Sequence, residues 1–536
     1  MPASKAAHGD QPAVAIVRPH ASDSHLIRKV LVANRGEIAV RVIRACREMG
    51  LKTVAVYSEC DRAALHVRYA DEAYALGANP PAESYLRIDK LLDVARRSEA
   101  DAVHPGYGFL AENGAFATAC HDAGLTFIGP SPEAIALMGS KTGARRAAIA
   151  AGVPVVPGTE TALAPDVPDA QIAGIASEVG YPVLVKAVAG GGGKGMRVAA
   201  APDELPGAIR AARSEAASSF GDAAIYLERR LARARHIEIQ LLADAQGAVV
   251  PFVERECSIQ RRHQKVLEES PSIAVTAEMR QAMASAATAV ARQVQYTNAG
   301  TIEFLLDEDG RFYFLEMNTR LQVEHPITEL VTGVDLVQWQ IRIAQGASLT
   351  LAPARTLVPN GHAIECRIYA EDPDNYFLPS PGRVLGLRVP AGPGIRRDDG
   401  GVTPGLDVPV FYDPLIAKLS AWGEDRPHAI ARMARALGEY EVRGIKTSIP
   451  FFRWLLADPD FRAGRFDTTM LDLLLQTRAG HPFLDLSPEA QEVALVATAL
   501  YAFERARERP DGGPPAHGAG PAGSLWKMQG RSEALR

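Results

Sequence analysis

The chain has 536 residues and a formal net charge of -5 at pH 7, with 58 Lys+Arg against 63 Asp+Glu. This length can bury several cores and divide into a few domains, and the charge balance excludes a general nucleic-acid binder, which would carry a basic excess. The five scattered cysteines lack a CxxC pair or zinc spacing and fit a reducing, cytoplasmic compartment, and no apolar run nears the ~20 residues that span a bilayer.

Residues 1–26 have no continuous apolar segment of a secretory signal and read as a disordered tail. The run KVLVA at 29–33 predicts a buried strand, 38–49 a helix stopped by Gly50, and 53–57 a second strand. This βαβ unit predicts an N-terminal α/β domain with a parallel sheet over 27–130. Its first turn, Asn34-Arg35-Gly36-Glu37, lacks the spaced glycines of a dinucleotide site. HPGYGFLAEN at 104–113 is a glycine-punctuated loop closing another strand. Residues 131–157 read as a linker containing Lys141, which stands at a turn before a helix in MGSKTGARR, in an order that is not that of a P-loop.

A small lid domain follows over 158–230. Strand VLVK (183–186) leads into the glycine run 190–193, Lys194 and a second strand at 196–198. Adjacent glycines allow backbone N–H groups to close over phosphates, and Lys186 is a point charge for the same phosphates. A larger α+β C-terminal domain is expected over 231–478. In RHIEIQLL, His236, Glu238 and Gln240 share one face, and the polar run 254–265 carries Arg255, Arg261, Arg262 and Lys265. Residues 479–536 read as a partly disordered extension, rich in Pro and Gly after 507.

The stretch TIEFLLDEDGRFYFLEMNTRLQVE (301–324) carries the most chemistry. A two-residue Asp309-Gly310 hairpin loop predicts Glu303 directly opposite Glu316, and a four-residue loop would shift the register by one pair and leave them diagonal neighbours on the same face. Facing carboxylates repel, and Mg²⁺, commonly held by one or two carboxylates with substrate phosphates, removes that penalty. If the strand continues, Asn318, Arg320, Gln322 and Glu324 fall along the same edge. Metal carboxylates, lysines under a glycine lid and a separate cationic acceptor site are the parts of ATP-dependent phosphoryl transfer to a carboxylate or bicarbonate.

The ordered motifs HPGYGFLAEN, MGSK, KAVAGGGGKGM, RHIEIQ, QRRHQK, EFL, EMNTRLQVEHP, ECRI, FLPSPG and GIKT resemble the biotin carboxylase family of ATP-grasp enzymes from about residue 27 to 475. The resemblance implies that Lys141, Lys186, Gly192, Gly193, the hinge residues Glu228, Arg229, Arg230 and Leu231, His236 and His263 contact ATP. It implies that Glu303 and Glu316 hold nucleotide and Mg²⁺ (Mn²⁺ able to substitute), with Asn318 as a further metal ligand. Lys265, Arg320, Gln322, the Val323 backbone and Glu324 would surround bicarbonate, with Glu324 as the base, kept ionised by Arg320 and Lys265. Arg367, with Arg320, would stabilise the biotin enolate, and Tyr107 would line the biotin pocket. The only tripeptide resembling a biotinylation tip is Trp526-Lys527-Met528, without the usual preceding Met. Biotin is therefore expected on a separate biotin carboxyl carrier protein. The resemblance also implies a homodimer working with carboxyltransferase subunits as the biotin carboxylase component of an acyl-CoA carboxylase.

Overall fold

The structure is a computed structural model that describes residues 27–188, 196–484 and 488–507. Gly192, Gly193 and Lys527 lie outside the described residues. The chain divides into two compact units, residues 1–483 and 484–536. Within the second, Pro488–Arg507 forms one helix, in a stretch expected to be only partly ordered.

In the first unit, the βαβ expectation is met. Strands β1 (Lys29–Val32), β2 (Lys52–Ser58), β3 (Glu72–Gly77), β4 (Ala102–His104) and β5 (Thr126–Phe127) form a parallel sheet in the order β3-β2-β1-β4-β5. The order reverses between β1 and β4, so the loops leaving their carboxyl ends frame a crevice. Asn34 stitches those loops together. Its Nδ2 donates to the carbonyls of Pro105 and Tyr107, each at 2.8 Å, which fixes the position of Tyr107.

Residues 131–157, expected as a linker, contain helices Pro132–Gly139 and Lys141–Ala150. Ser131 and Ser140 cap them through hydrogen bonds from Ala134 N and Gly143 N. Ala134, Met138, Ala144 and Ala148 pack into the core with Ile302, Phe304 and Met317, so this apolar face is structural. Residues 158–230, expected as a lid domain, contain helices Asp169–Val179 and Leu205–Phe220 and a three-stranded antiparallel sheet, β7 (Met196–Ala199), β6 (Val183–Ala187) and β8 (Ile225–Arg229).

The site is carried by a larger antiparallel sheet. It comprises β9 (Arg235–Ala243), β10 (Val249–Pro251), β11 (Arg255–Arg261), β12 (Gln264–Ser270), β13 (Asn298–Leu306), β14 (Phe312–Asn318), β15 (His362–Tyr369), β16 (Ile395–Asp399) and β17 (Leu415–Gly423). Their order is β14-β13-β9-β11-β12-β15-β17-β16, with β10 flanking β9. The polar run 254–265 enters a hairpin whose first strand is buried through Gln260 and whose turn, residues 262–264, is exposed; Arg255 is fully buried. No described helix is long and apolar enough to cross a membrane.

Candidate active site

The β13–β14 register pairs Glu303 with Glu316 as expected, but by a different route. Asp307 N donates to Arg311 O at 2.9 Å, leaving Glu308, Asp309 and Gly310 as a three-residue loop. Gly310 adopts φ +78, the left-handed position that such a loop requires. The register then slips by one between Glu303 and Phe304, a bulge in which Leu315 is the extra residue and which restores the pairing of the carboxylates.

Glu303 is the better held of the two. His236 Nε2 lies 3.1 Å from Oε2, and Lys265 Nζ, Asn318 Nδ2 and Gln322 Nε2 reach Oε1 at 2.8, 2.8 and 3.2 Å. Burial opposes its charge, yet Lys265 and then His236 hold it far below the usual carboxylate range. Desolvation in the cleft, followed by the facing Glu303, pushes Glu316 up, and among the described residues its carboxylate has no hydrogen bond or ion pair. Two facing carboxylates and an amide form a hard-oxygen donor set, which fits Mg²⁺.

The strand does not continue to Glu324. β14 ends at Asn318, and the chain bends and turns into helix His325–Thr332. Pro326 stands in the first turn of that helix, where its missing N–H costs nothing. The bend gathers the same residues by another geometry. Arg320 donates from Nε to Glu112 Oε2 at 2.9 Å, from Nη1 to Gln322 Oε1 at 2.9 Å and from Nη2 to Asn318 Oδ1 at 3.1 Å. The Val323 carbonyl accepts from Lys418 Nζ at 2.9 Å.

Glu324 is completely buried. Lys265 Nζ is 2.8 Å from Oε1 and Arg367 Nη2 2.9 Å from Oε2. Burial would raise its proton affinity, but Lys265, then Arg367 and Arg255, hold it well below the carboxylate range. The contacting cations are thus Lys265 and Arg367. Arg320, expected in that role, forms its own ion pair with Glu112 because the bend turns its guanidinium toward the HPGYGFLAEN loop.

At the lid side, Lys186 Nζ lies 2.5 Å from Glu228 Oε2, with Arg145 Nη1 3.4 Å from Oε1. Lys141 Nζ reaches the Ala187 carbonyl at 3.4 Å, and burial followed by Lys186 lowers its pKa. Arg229 N and Arg230 N donate to Pro157 O and Pro182 O at 2.7 and 2.8 Å. Leu231 is half-buried, and His263 is exposed at the β11–β12 turn with φ +65. Tyr107 donates its hydroxyl to Glu37, with Lys418 Nζ 5.7 Å from the ring centroid.

Sequence reasoning named Glu238 only as a face-mate of His236, yet it stands opposite Glu303 and pairs with Lys265 Nζ at 2.6 Å. It also missed Glu37, Glu112, Glu268 and Lys418. A lysine within the apolar run LIAKLSAW was a usable signal for Lys418.

Comparison with known proteins shows the family of the chain. The biotin carboxylase N-terminal domain family matches residues 26–135, the carbamoyl-phosphate synthase L chain ATP-binding domain 140–352 and the biotin carboxylase C-terminal domain 365–473. A pyruvate carboxylase subunit of Methanothermobacter thermautotrophicus is 52% identical over 447 residues, covering 83% of this chain and 90% of that protein. The biotin carboxylase of a Nostoc species is 51% identical, over 83% and 98% of the two chains. Among solved structures, the biotin carboxylase domain dimer of Hydrogenobacter thermophilus 2-oxoglutarate carboxylase, complexed with MgADP, ADP and bicarbonate, aligns with TM-score 0.81 and 46% identity, covering 85% and 99%.

Proposed function

The chain belongs to the biotin carboxylase family, and from that premise we propose how its residues divide the work of ATP- and bicarbonate-dependent carboxylation of biotin. The enzyme is an ATP-grasp ligase. Lys141, Lys186, His236, His263 and the Glu228–Leu231 hinge bind and orient ATP, with Gly192 and Gly193 as the phosphate lid. Glu303, Glu316 and Asn318 would hold Mg²⁺ (Mn²⁺ can substitute), which neutralises the terminal phosphate oxygens when bound.

Lys265, Arg320, Gln322 and the Val323 backbone orient bicarbonate. Glu324 removes its proton at a carboxylate oxygen, and the freed oxygen attacks the γ-phosphorus to give carboxyphosphate and ADP. Arg367, with Arg320, stabilises the ureido enolate of biotin, and Tyr107 walls its pocket. The observation that carries this reading is the buried Glu324 carboxylate held between Lys265 and Arg367, beside the facing pair Glu303 and Glu316.

Biotin arrives on a separate carrier protein, and the enzyme works as a homodimer with carboxyltransferase subunits that choose the acyl-CoA or 2-oxoacid acceptor. The relatives include pyruvate- and methylcrotonoyl-CoA-directed chains, so family membership alone does not select the acceptor. Free cysteines at all five positions support a cytoplasmic setting.

The test is bicarbonate-dependent release of ADP, stimulated by free biotin and more strongly by a biotinylated carrier, whose tethering supplies effective concentration. A folded preparation that cleaves ATP only with another acceptor overturns the assignment.

A further inference from the structure

Two buried carboxylates beside the reacting groups have no part in the mechanism above. Glu268 on β12 and Glu365 on β15 stand directly opposite each other in the antiparallel register, and both are fully buried. Directly opposed residues share one face of the sheet. Glu268 Oε1 accepts from Arg367 Nε at 2.7 Å, and Glu365 Oε2 accepts from Ser420 Oγ at 2.8 Å. The remaining oxygens, Glu268 Oε2 and Glu365 Oε1, have no partner among the described residues. A buried carboxylate oxygen without a donor is costly. Facing like charges in a buried site disfavour ionisation of both, so a proton on one of the two carboxyls relieves their repulsion.

Arg367 connects this pair to the reaction. Its Nη2 lies 2.5 Å from Glu268 Oε1 and 2.9 Å from Glu324 Oε2. We propose that Glu268 and Glu365 together hold one proton, and that Glu268 is a positioning residue whose protonation sets how strongly Arg367 is retained away from the biotin ureido oxygen. The proposal rests on the role given to Arg367 above. While Glu268 is neutral, the guanidinium is available to the developing oxyanion. Once that proton passes to solvent base, a full ion pair with Glu268 competes for it.

The charged and titratable surroundings pull in both directions, and burial outweighs them. Glu268 is faced by Arg367, Glu365, Cys366 and Tyr369 from β15, by Cys257 from β11 and by Glu324. Burial is the leading cause that pushes Glu268 up, to about 8, against the pull of Arg367, with Glu324 and Glu365 adding to the rise. Glu365 is faced by Lys418 and Ser420 on β17 and Asp398 on β16, and burial likewise pushes it up.

The experiment is the pH profile of kcat/KM for biotin at saturating ATP and bicarbonate. The wild type should lose activity on the alkaline side, near pH 8. Glu268→Gln, permanently neutral, should move that loss upward by about one pH unit or more, a factor of about ten at fixed pH. Glu365→Gln removes a neighbouring negative charge, lowers the proton affinity of Glu268 and should move the loss downward. An unshifted limb, or shifts of the same sign, overturns the proposal. If Glu268→Gln does not fold, the direction seen with Glu365→Gln decides alone. Arg367→Lys tests the underlying reading separately, because it should raise the KM for biotin without changing that for ATP. An unchanged biotin KM there refutes the role of Arg367 itself.

Discussion

Arg367 Nη2 lies 2.9 Å from Glu324 Oε2, so a cation from β15 grips the carboxylate that begins helix His325–Thr332. A carboxylate held so far below its ordinary range is a weak base at rest. An oxyanion that takes hydrogen bonds from Lys265 and Arg367 weakens their hold and returns proton affinity to Glu324 when it is needed. In the role proposed for Glu324, these ion pairs keep the base ionised until substrate arrives.

Glu324→Gln should therefore bind ATP normally and lose turnover by roughly 10²–10⁴-fold, the range for general-base removal. Equilibrium nucleotide binding and single-turnover ADP formation measure the two separately. Lost binding with normal turnover of bound ATP would contradict the division of labour.

Lys265 should show the opposite coupling of stability and activity. Its Nζ contacts Glu238, Glu303 and Glu324 at 2.6, 2.8 and 2.8 Å. Lys265→Met leaves these carboxylates buried with less compensation, and breaking a buried pair costs about 3–5 kcal/mol. Urea unfolding at pH 7 should register that loss alongside inactivity. A Lys265→Met protein as stable as wild type would show that Lys265 is not the cation holding the cluster.

The facing carboxylates came out as expected because two departures cancel: the loop is one residue longer than the two-residue turn, and a bulge restores the register. The bulge at Leu315 was not legible, since its apolar neighbours give no sign of the slip that offsets the longer loop. The course of residues 319–324 was hidden for another reason. Alternating residues satisfied a strand pattern, while the bend is imposed by Glu112 from a distant loop, which accepts from Thr319 N at 3.1 Å and Arg320 Nε at 2.9 Å. Arg367 was assigned its chemistry by resemblance, but its grip on Glu324 needed β15 to be placed two strands from β11. Spacing of that kind is tertiary and leaves no local mark.

Glu329 gives a pH-dependent test. Its carboxylate is buried with Arg41 Nη2 at 2.9 Å from Oε1 and Arg396 Nη1 at 2.6 Å from Oε2. Burial opposes the charge, but Arg41 and then Arg396 lower its pKa. The folded value lies below the unfolded value of about 4.3, so the stabilisation is present above pH ~4.3 and is lost as pH falls through the folded value. Glu329→Gln should be less stable by about 3–5 kcal/mol at pH 7, with a shallower acid decline than wild type. Denaturant midpoints at neutral pH and below pH ~4 check the sign. A parallel offset at every pH would rule out Glu329 as a source of the acid dependence.

The last test concerns the edge of the three-stranded sheet, where residues 158–159 run along β8. Gly158 pairs with Glu228, next to Thr159, whose N donates to Leu227 O at 2.8 Å. A Cβ at Gly158 would stand 2.3 Å from the Leu227 carbonyl oxygen and 2.9 Å from Glu228 Cα. Those are backbone atoms, so the strand carrying Glu228 must move, and Glu228 positions Lys186. Gly158→Ala should cost roughly 1–3 kcal/mol, the range for overpacking, and raise the KM for ATP through displacement of Lys186. Gly207 is the control within the lid. It lies in helix Leu205–Phe220, where an added methyl group would meet nothing within 4 Å, and Gly207→Ala should gain about 0.4–1 kcal/mol by restricting the unfolded chain. Steady-state ATP kinetics and thermal unfolding of both variants distinguish a positioning edge from a passive connection. If Gly158→Ala loses stability while its KM for ATP stays at the wild-type value, this segment supports the fold without setting the position of the nucleotide lysine.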